Sequence, residues 1–301
     1  MKNKVYKTLI YFFYCRNDIY EYKEVFDLHL ELLKQNINIF NYSKFILAVN
    51  DLNNNELIDF YKNYIKDYLC VNDNFEFIVV QNDPLNREGI HFYYEIAKKL
   101  NDYDGLLFFG HNKSDLTYDK RNIYDWIIGA HFINFYNIED IENKLINDKY
   151  IAYGSFPKFV LNQTWEGESR YMYWGSFFWI NPKKIISNHS TEVSFYNEYF
   201  DMFFQMKKTN SYIKSIGEFK YYAEYFLGNI CNFYSDCTTL NNAIIPIYMY
   251  NGLPSQTLIC GYNKIGYHSP MTQYYLTENQ NIEFNEYFNS ICKKLNILFN
   301  K

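Results

Sequence analysis

Apolar runs alternate with amphipathic stretches through the first 120 residues of the chain. Short apolar runs bounded by polar residues indicate buried strands, and apolar residues at helical spacing indicate helices. The pattern predicts strands over residues 7–15, 44–50, 75–83 and 105–111, and helices over residues 20–33, 57–69 and 88–100. Alternation at this pace favours an α/β fold, in which a mostly parallel sheet carries helices on both faces.

Each of these predicted strands ends in a polar segment. The segments are residues 14–18, 50–51, 81–83 and 110–115. The carboxyl ends of parallel strands share one edge of the sheet, and ligands bind outside that edge in open α/β folds. We therefore expect the binding site to be built from these four segments.

The pattern changes in the second half of the chain. It predicts helices over residues 122–148, 193–204, 217–231 and 282–299, and strands over residues 150–160, 171–180 and 243–250. No Pro-, Gly- or Ser-rich linker and no internal repeat interrupts it. We predict one domain over residues 1–301, with a nucleotide-binding half at 1–120 and a mixed half at 121–301.

The net charge of the chain and the absence of several sequence motifs argue against some classes of function. The net charge of −5 and pI near 5.7 argue against a nucleic-acid partner. No run approaches the ~18 apolar residues of a membrane span. The six cysteines form no CxxC pair and are typical of free thiols in a reducing cytosol. The chain also lacks the GxGxxG, GxxxxGK[ST], GxSxG and HExxH patterns.

The segment at the end of the fourth predicted strand carries the richest chemistry. Lys113 supplies a cation that can neutralise a diphosphate, and His111 can bond a phosphate or a sugar hydroxyl. Asp115 has the oxygen ligands that a divalent ion prefers. Alternatively, these residues form an ordinary polar loop before a capped helix.

Asn86 and Arg87 lie between a predicted strand end and a helix start. Backbone N–H groups at a helix start suit an anion, and a guanidinium can bind phosphate in bidentate fashion. Alternatively, Asn86 is only a helix N-cap and Arg87 a surface residue.

Two further groups of residues are candidates for the acceptor side. Trp174 and Trp179 fall on opposite faces of a predicted strand, so that one can stack on a sugar while the other is core. Glu218 and Glu224 lie six apart on a predicted helix, so only one should point at a site, where it could act as general base. The alternatives are packing alone for the tryptophans and solvated surface positions for the glutamates.

Taken in order, these motifs resemble a bacterial group of glycosyltransferases from polysaccharide and lipopolysaccharide clusters, including the rhamnan-synthesis F type. That group carries N-R-G-R-D before a helix, H-x-K-[GS] at a strand end, a tryptophan, and then G-x-F-W-W. Asn86-Arg87-Glu88-Gly89 matches loosely, whereas His111, Lys113 and Ser114 match well. Trp126 follows, and residues 175–179 match with one aromatic exchanged.

The resemblance covers roughly residues 75–230 and implies a GT-A-like, Rossmann-like fold. It also implies transfer of a sugar from a nucleotide-sugar donor to a capsule- or lipopolysaccharide-type acceptor, either a glycan or a lipid-linked one. The expected location is the cytoplasm, either free or at the inner face of the membrane. Two alternatives stay open: a non-catalytic carbohydrate-binding or scaffold protein on the same fold and, last in rank, a hydrolase with two carboxylates.

The resemblance implies roles for residues at these motifs and at the strand ends. The expected donor-binding residues are Tyr14, Arg16, Asn50, Asp83, Asn86, Arg87, His111, Asn112, Lys113 and Ser114. The expected acceptor-binding residues are Trp165, Trp174, Ser176 and Trp179. The expected catalytic residues are Glu218, Glu224 and Asp115.

Metal dependence is left open by the motifs. Metal-dependent members of this fold usually carry an Asp-x-Asp after a strand, and no clear one follows the fourth strand here. Asn112 and Asp115 could replace it as ligands for Mn²⁺ or Mg²⁺. Equally, Lys113 or Arg87 could balance the leaving-group charge without a metal.

Overall fold

The fold is known from a computed structural model that describes most of the first half and parts of the second. The described residues are 5–20, 22–70, 74–82, 99–112, 120–161, 169–173, 177–208, 227, 236–241, 249–250, 253–254 and 276–298.

Strands and helices alternate over residues 7–81, as the pattern predicts, whereas the helix predicted over 88–100 lies almost entirely outside the described residues. The strands are β1 (Lys7–Cys15), β2 (Tyr42–Val49), β3 (Phe75–Gln81), β4 (Leu106–His111), β5 (Ala152–Gly154), β6 (Pro157–Leu161), β7 (Ser169–Tyr173), β8 (Phe178–Ile180), β9 (Cys237–Thr238), β10 (Met249–Tyr250) and β11 (Leu253–Pro254). The helices are α1 (Lys23–Lys34), α2 (Asn55–Leu69), α3 (Lys120–Phe135), α4 (Ile138–Glu142), α5 (Pro182–Lys208, kinked at His189) and α6 (Glu278–Lys294). None of the helices within the described ranges is long and apolar enough to cross a membrane.

Seven strands form one sheet in the order β3-β2-β1-β4-β8-β5-β9. The β1–β2, β2–β3 and β1–β4 pairs are parallel, and β8 runs antiparallel to both β4 and β5. The predicted α/β class, with a mostly parallel sheet and a mixed second half, is therefore confirmed. Strands from both halves of the chain share this sheet.

The core lies on both faces of the sheet because its central strands are apolar throughout. Along β1, Tyr11 and Phe13 point to the face covered by α1, α2, α3 and α6, whereas Ile10 and Phe12 point to the face covered by α5. Side chains alternate between the faces of a strand, so a strand buried on both sides reads as one continuous apolar run. This is why β1 was recognisable from sequence.

Several element boundaries differ from the predictions for local reasons. The helix predicted over 122–148 is interrupted at Asn137, whose side chain accepts a hydrogen bond from the Asp140 backbone N–H and starts α4. The strand predicted over 150–160 divides into β5 and β6 at Phe156, which has a left-handed φ of +48°. The predicted 171–180 strand divides into β7 and β8. Of the predicted helix over 217–231, only Leu227 lies within the described residues, and it is helical.

Helix ends follow the expected capping chemistry. The side chain of Asn54 accepts a hydrogen bond from the Leu57 backbone N–H and caps α2, and asparagine is a favoured residue at this position. A reciprocal pair of hydrogen bonds between Thr277 and Gln280 starts α6, four residues before the predicted start.

A buried ion pair ties α6 to α1. Glu31 on α1 has 3% of its side chain exposed, and Lys294 at the end of α6 lies 2.5 Å from its carboxylate. Gln35 and Tyr68 donate further, longer hydrogen bonds to the same carboxylate. These bonds hold α6, the last described helix, against the first.

Replacing Lys294 with methionine is expected to lower the free energy of unfolding by about 1–3 kcal/mol, because Glu31 then keeps a buried charge with fewer partners. The loss stays below that of a fully buried pair because the Lys294 side chain is 57% exposed. Urea denaturation measures it, with Lys293→Met as the control at the exposed neighbouring lysine. Equal unfolding midpoints for the two variants would contradict a role for the pair.

Candidate functional site

The strand order places a topological switch point between β1 and β4. From β1 the chain passes through α1 to β2 and then through α2 to β3, so that both strands are added on the same side of β1. β4 then pairs on the opposite side of β1. In open α/β sheets, ligands bind outside the carboxyl ends of the strands at such a switch point. The segments after Cys15 and His111 flank this point.

Asn112 fastens the end of β4 to the end of β1. Its backbone N–H donates to the Phe12 carbonyl at 3.0 Å, and its side-chain oxygen accepts from the Tyr14 N–H at 2.6 Å. Its side-chain nitrogen also donates to the Tyr14 carbonyl at 3.3 Å, and the residue is fully buried. The Asn112 side chain thus extends the β1–β4 ladder beyond the last regular pair. This structural role replaces the donor contact and the metal contact expected of it from sequence.

The backbone after β1 is held by two tyrosines. The Arg16 N–H donates to the Tyr22 hydroxyl at 2.8 Å, and the Tyr61 hydroxyl donates to the Arg16 carbonyl at 2.8 Å. The two hydroxyls lie 2.8 Å apart, and Tyr22 also donates to the Tyr14 carbonyl. Burial raises the pKa of Tyr22 to about 12 and that of Tyr61 further, so both stay protonated at neutral pH.

The Arg16 guanidinium lies beside the switch point. It sits 5.1 Å from the centroid of the Tyr22 ring and the residue is partly buried. A guanidinium held over an aromatic face by a fixed backbone loses little freedom when it binds an anion. Sequence reasoning included Arg16 but missed Tyr22 and Tyr61. No local pattern singles out Tyr22, which lies outside the polar segment 14–18, and Tyr61 comes from α2, 45 residues along the chain from Arg16.

Asn50 lies at the same edge of the sheet but farther from the switch point. It follows β2 and is exposed, and its side-chain oxygen accepts a hydrogen bond from the Asn82 amide at 2.9 Å. The Gln81 amide donates to the Asn50 carbonyl at 2.5 Å. These amides form a polar rim one to two strands away from Arg16.

His111 is nearly closed off at the end of β4. The residue is 5% exposed, and its ring packs on Phe177 with 5.4 Å between the ring centroids. Its carbonyl accepts a hydrogen bond from the Tyr11 hydroxyl at 3.2 Å. Gly110 permits this arrangement, because a Cβ at that position would lie 2.7 Å from the Tyr11 ring. His111 therefore offers a ligand little more than a ring edge.

Two more histidines lie beneath this strand end in the core. The His29 Nδ1 lies 2.7 Å from the Tyr11 hydroxyl, and both His29 and His131 are fully buried. Neither ring nitrogen of His131 has a hydrogen-bond partner among the described residues. Burial lowers the pKa of His131 to about 3, so its ring is neutral in the folded protein.

His131 is expected to make the folded protein sensitive to acid. Its folded pKa lies below the value of about 6.5 expected when unfolded, so the unfolded chain takes up the proton first and stability falls as pH drops from 6.5 towards 3. His131→Leu should therefore flatten the fall in unfolding free energy between pH 6 and pH 5 by about 1 kcal/mol per pH unit. Urea denaturation across this range measures the slope. Parallel slopes for the variant and the parent would contradict the assignment.

Trp179 belongs to the core, which corrects its expected place on the acceptor side. It is 1% exposed, it stacks on Phe40 with 5.4 Å between ring centroids, and its indole N–H donates to the Asn134 carbonyl at 2.9 Å. No face of this ring is open to a sugar. Of the two tryptophans within the predicted 171–180 strand, Trp179 is thus the one that lies in the core.

The remaining candidates lie outside the described residues, and their roles stay predictions. They are Asp83, Asn86, Arg87, Lys113, Ser114, Asp115, Trp165, Trp174, Ser176, Glu218 and Glu224. Within the described part of the chain, no group of three or more His, Cys, Asp or Glu side chains could hold a metal ion.

Comparisons with known proteins do not identify the function of this site. No protein-family model matches the chain. A search of curated proteins finds no match. Among solved structures, the chain is similar to a 4-diphosphocytidyl-2C-methyl-D-erythritol synthase from Anaerococcus prevotii, at 9% sequence identity. The match covers 94% of this chain and 96% of that chain with a TM-score of 0.32, a likeness too low to carry an argument.

Proposed function

We propose that the protein is a glycosyltransferase that holds a nucleotide-sugar donor at the carboxyl ends of β1 and β4. The observation that carries this proposal is the fastening of these two strand ends by Asn112. Arg16 directly follows β1, and Lys113 is the next residue in the chain after Asn112. In this proposal the two cations, which follow different strands, serve one anionic ligand.

The chemistry of transfer fits a group of cations beside the diphosphate. The bond between the anomeric carbon and the phosphate oxygen breaks, and its electron pair leaves with the nucleoside diphosphate. We assign Arg16, Lys113 and Arg87 to balance this developing charge. The amide rim at Asn50 and Asn82 suits the hydrogen-bonding edge of the donor's base, which lies farther from the reacting centre.

The acceptor side of the proposal rests on sequence alone. The acceptor hydroxyl attacks the anomeric carbon, and its proton passes to Glu218 or Glu224 if the reaction inverts configuration. Trp165 and Trp174 are the proposed stacking surfaces for the acceptor glycan. Asp115 is the proposed ligand if the reaction uses Mn²⁺ or Mg²⁺.

A thermal-shift screen with UDP-, GDP-, dTDP- and CMP-sugars tests the donor class, with Mn²⁺ and with EDTA in parallel. We expect sugars of one base class to raise the melting temperature, because a donor at 100 times its Kd adds about 2.7 kcal/mol of stability. Arg16→Gln should weaken that shift. Binding of free glycan with no response to any nucleotide sugar would instead favour a non-catalytic carbohydrate-binding protein.

A further inference from the structure

A cavity of about 670 Å³ lies at the amino-terminal edge of the sheet, opposite the proposed transfer site. It is formed where β1, β2 and β3 begin and by the segment that precedes β4. Since β1 has nine residues, roughly 26 Å of strand separates this cavity from the carboxyl edge. The volume falls within the roughly 300–1,000 Å³ typical of small-molecule sites.

Three tyrosines from separate parts of the chain line this cavity. Tyr6 precedes β1 and is 45% exposed, Tyr42 starts β2, and Tyr103 lies before β4 with 9% exposed. Each combines an apolar ring with a hydroxyl group. Such side chains suit a ligand that also combines apolar and polar surfaces.

The charged groups of the cavity balance one another. Lys44 lies 3.2 Å from the Glu76 carboxylate and donates to the Tyr103 hydroxyl at 3.2 Å. Asp104 pairs at 2.6 Å with Lys183, which is not part of the lining. Two further charged residues belong to the described part of the lining.

They are Lys99 and Asp102. The described lining residues, counted together with Lys183, carry no net charge. Such a lining gives little advantage to a phosphate or to a cation, since desolvating either would need an opposite charge in excess. Carboxylates, ammonium groups and phenols together offer both donors and acceptors. A ligand whose every polar group can donate and accept satisfies them best, and hydroxyl groups have this property.

We propose that this cavity is a second binding site, for a neutral oligosaccharide. The apolar faces of the sugar rings pack on the tyrosines, and the hydroxyls bond to Glu76, Asp102 and Lys44. The site lies outside the proposed transfer site and would hold a stretch of glycan away from the reacting centre.

Isothermal titration of the full-length protein, without any nucleotide, tests this inference. The probes are the neutral tetrasaccharides maltotetraose, cellotetraose and laminaritetraose, together with a sulfated tetrasaccharide. We expect at least one neutral probe to bind, and the double variant Tyr6→Ala/Asp102→Asn to bind it at least about tenfold more weakly. Both positions are exposed, so the fold should survive. The matched control is Tyr20→Ala, at an exposed tyrosine outside the lining, and it should bind like the parent.

Three results would overturn the inference: no neutral probe bound at millimolar concentration, tighter binding of the sulfated probe, or unchanged binding in the double variant. None of them bears on transfer, since no donor is present. Conversely, a failed nucleotide-sugar screen would leave this site standing.

Discussion

Replacing Lys113 with alanine is expected to lower sugar transfer about 100- to 1,000-fold while leaving the free energy of unfolding unchanged. The proposed role of this lysine is to balance charge that develops on the departing diphosphate. A group that stabilises such charge typically lowers the activation free energy by about 2.7–4 kcal/mol. Its removal therefore slows the reaction about 100- to 1,000-fold. Single-turnover transfer rates with the donor found in the screen measure the loss.

Two further variants sharpen this test. Lys113→Arg keeps the cation and should retain more activity than the alanine variant. Lys66→Ala removes an exposed lysine from α2 and should leave the rate at the parent value. Unchanged turnover in Lys113→Ala would remove this residue from the site and leave Arg16 and Arg87 as the proposed cations.

Replacing Gly105 with alanine is expected to cost about 2–5 kcal/mol of stability, a large effect for a single methyl group. Gly105 has a left-handed φ of +77°, which an L side chain adopts at a cost of about 1–2 kcal/mol. An added Cβ would also lie 2.1 Å from the Tyr6 carbonyl oxygen. Displacing that contact adds about 1–3 kcal/mol.

The Tyr6 carbonyl cannot move away without loss. It accepts the hydrogen bond of the Leu106 N–H at 2.8 Å, next to the first pair of the β1–β4 ladder. The substitution therefore disturbs the strand pairing on which the proposed site depends. Urea denaturation measures the loss, with Asp104→Ala as the control at the exposed neighbouring residue, where only a solvated ion pair is removed. Similar midpoints for the two variants would contradict the strain assigned to Gly105.

Local pattern was sufficient to identify the first four strands. β1 and β4 are buried on both faces, and each is therefore a continuous apolar run that the local sequence shows directly. The same pattern did not reveal the break at Phe156, because a left-handed φ at a phenylalanine is imposed by its surroundings. It also placed Trp179 on the acceptor side, since alternation along a strand does not say which face is covered.

The sequence by itself determined the α/β class and the polar segments at the strand ends, because periodicity depends on residues close together in the chain. The tertiary structure alone decided that β1 and β4 are neighbours and that Asn112 joins them. It also decided that Tyr61 supports Arg16 and that a cavity opens at the amino edge. These features depend on hydrogen bonds and contacts between residues about 45 to 100 positions apart, which no local pattern encodes.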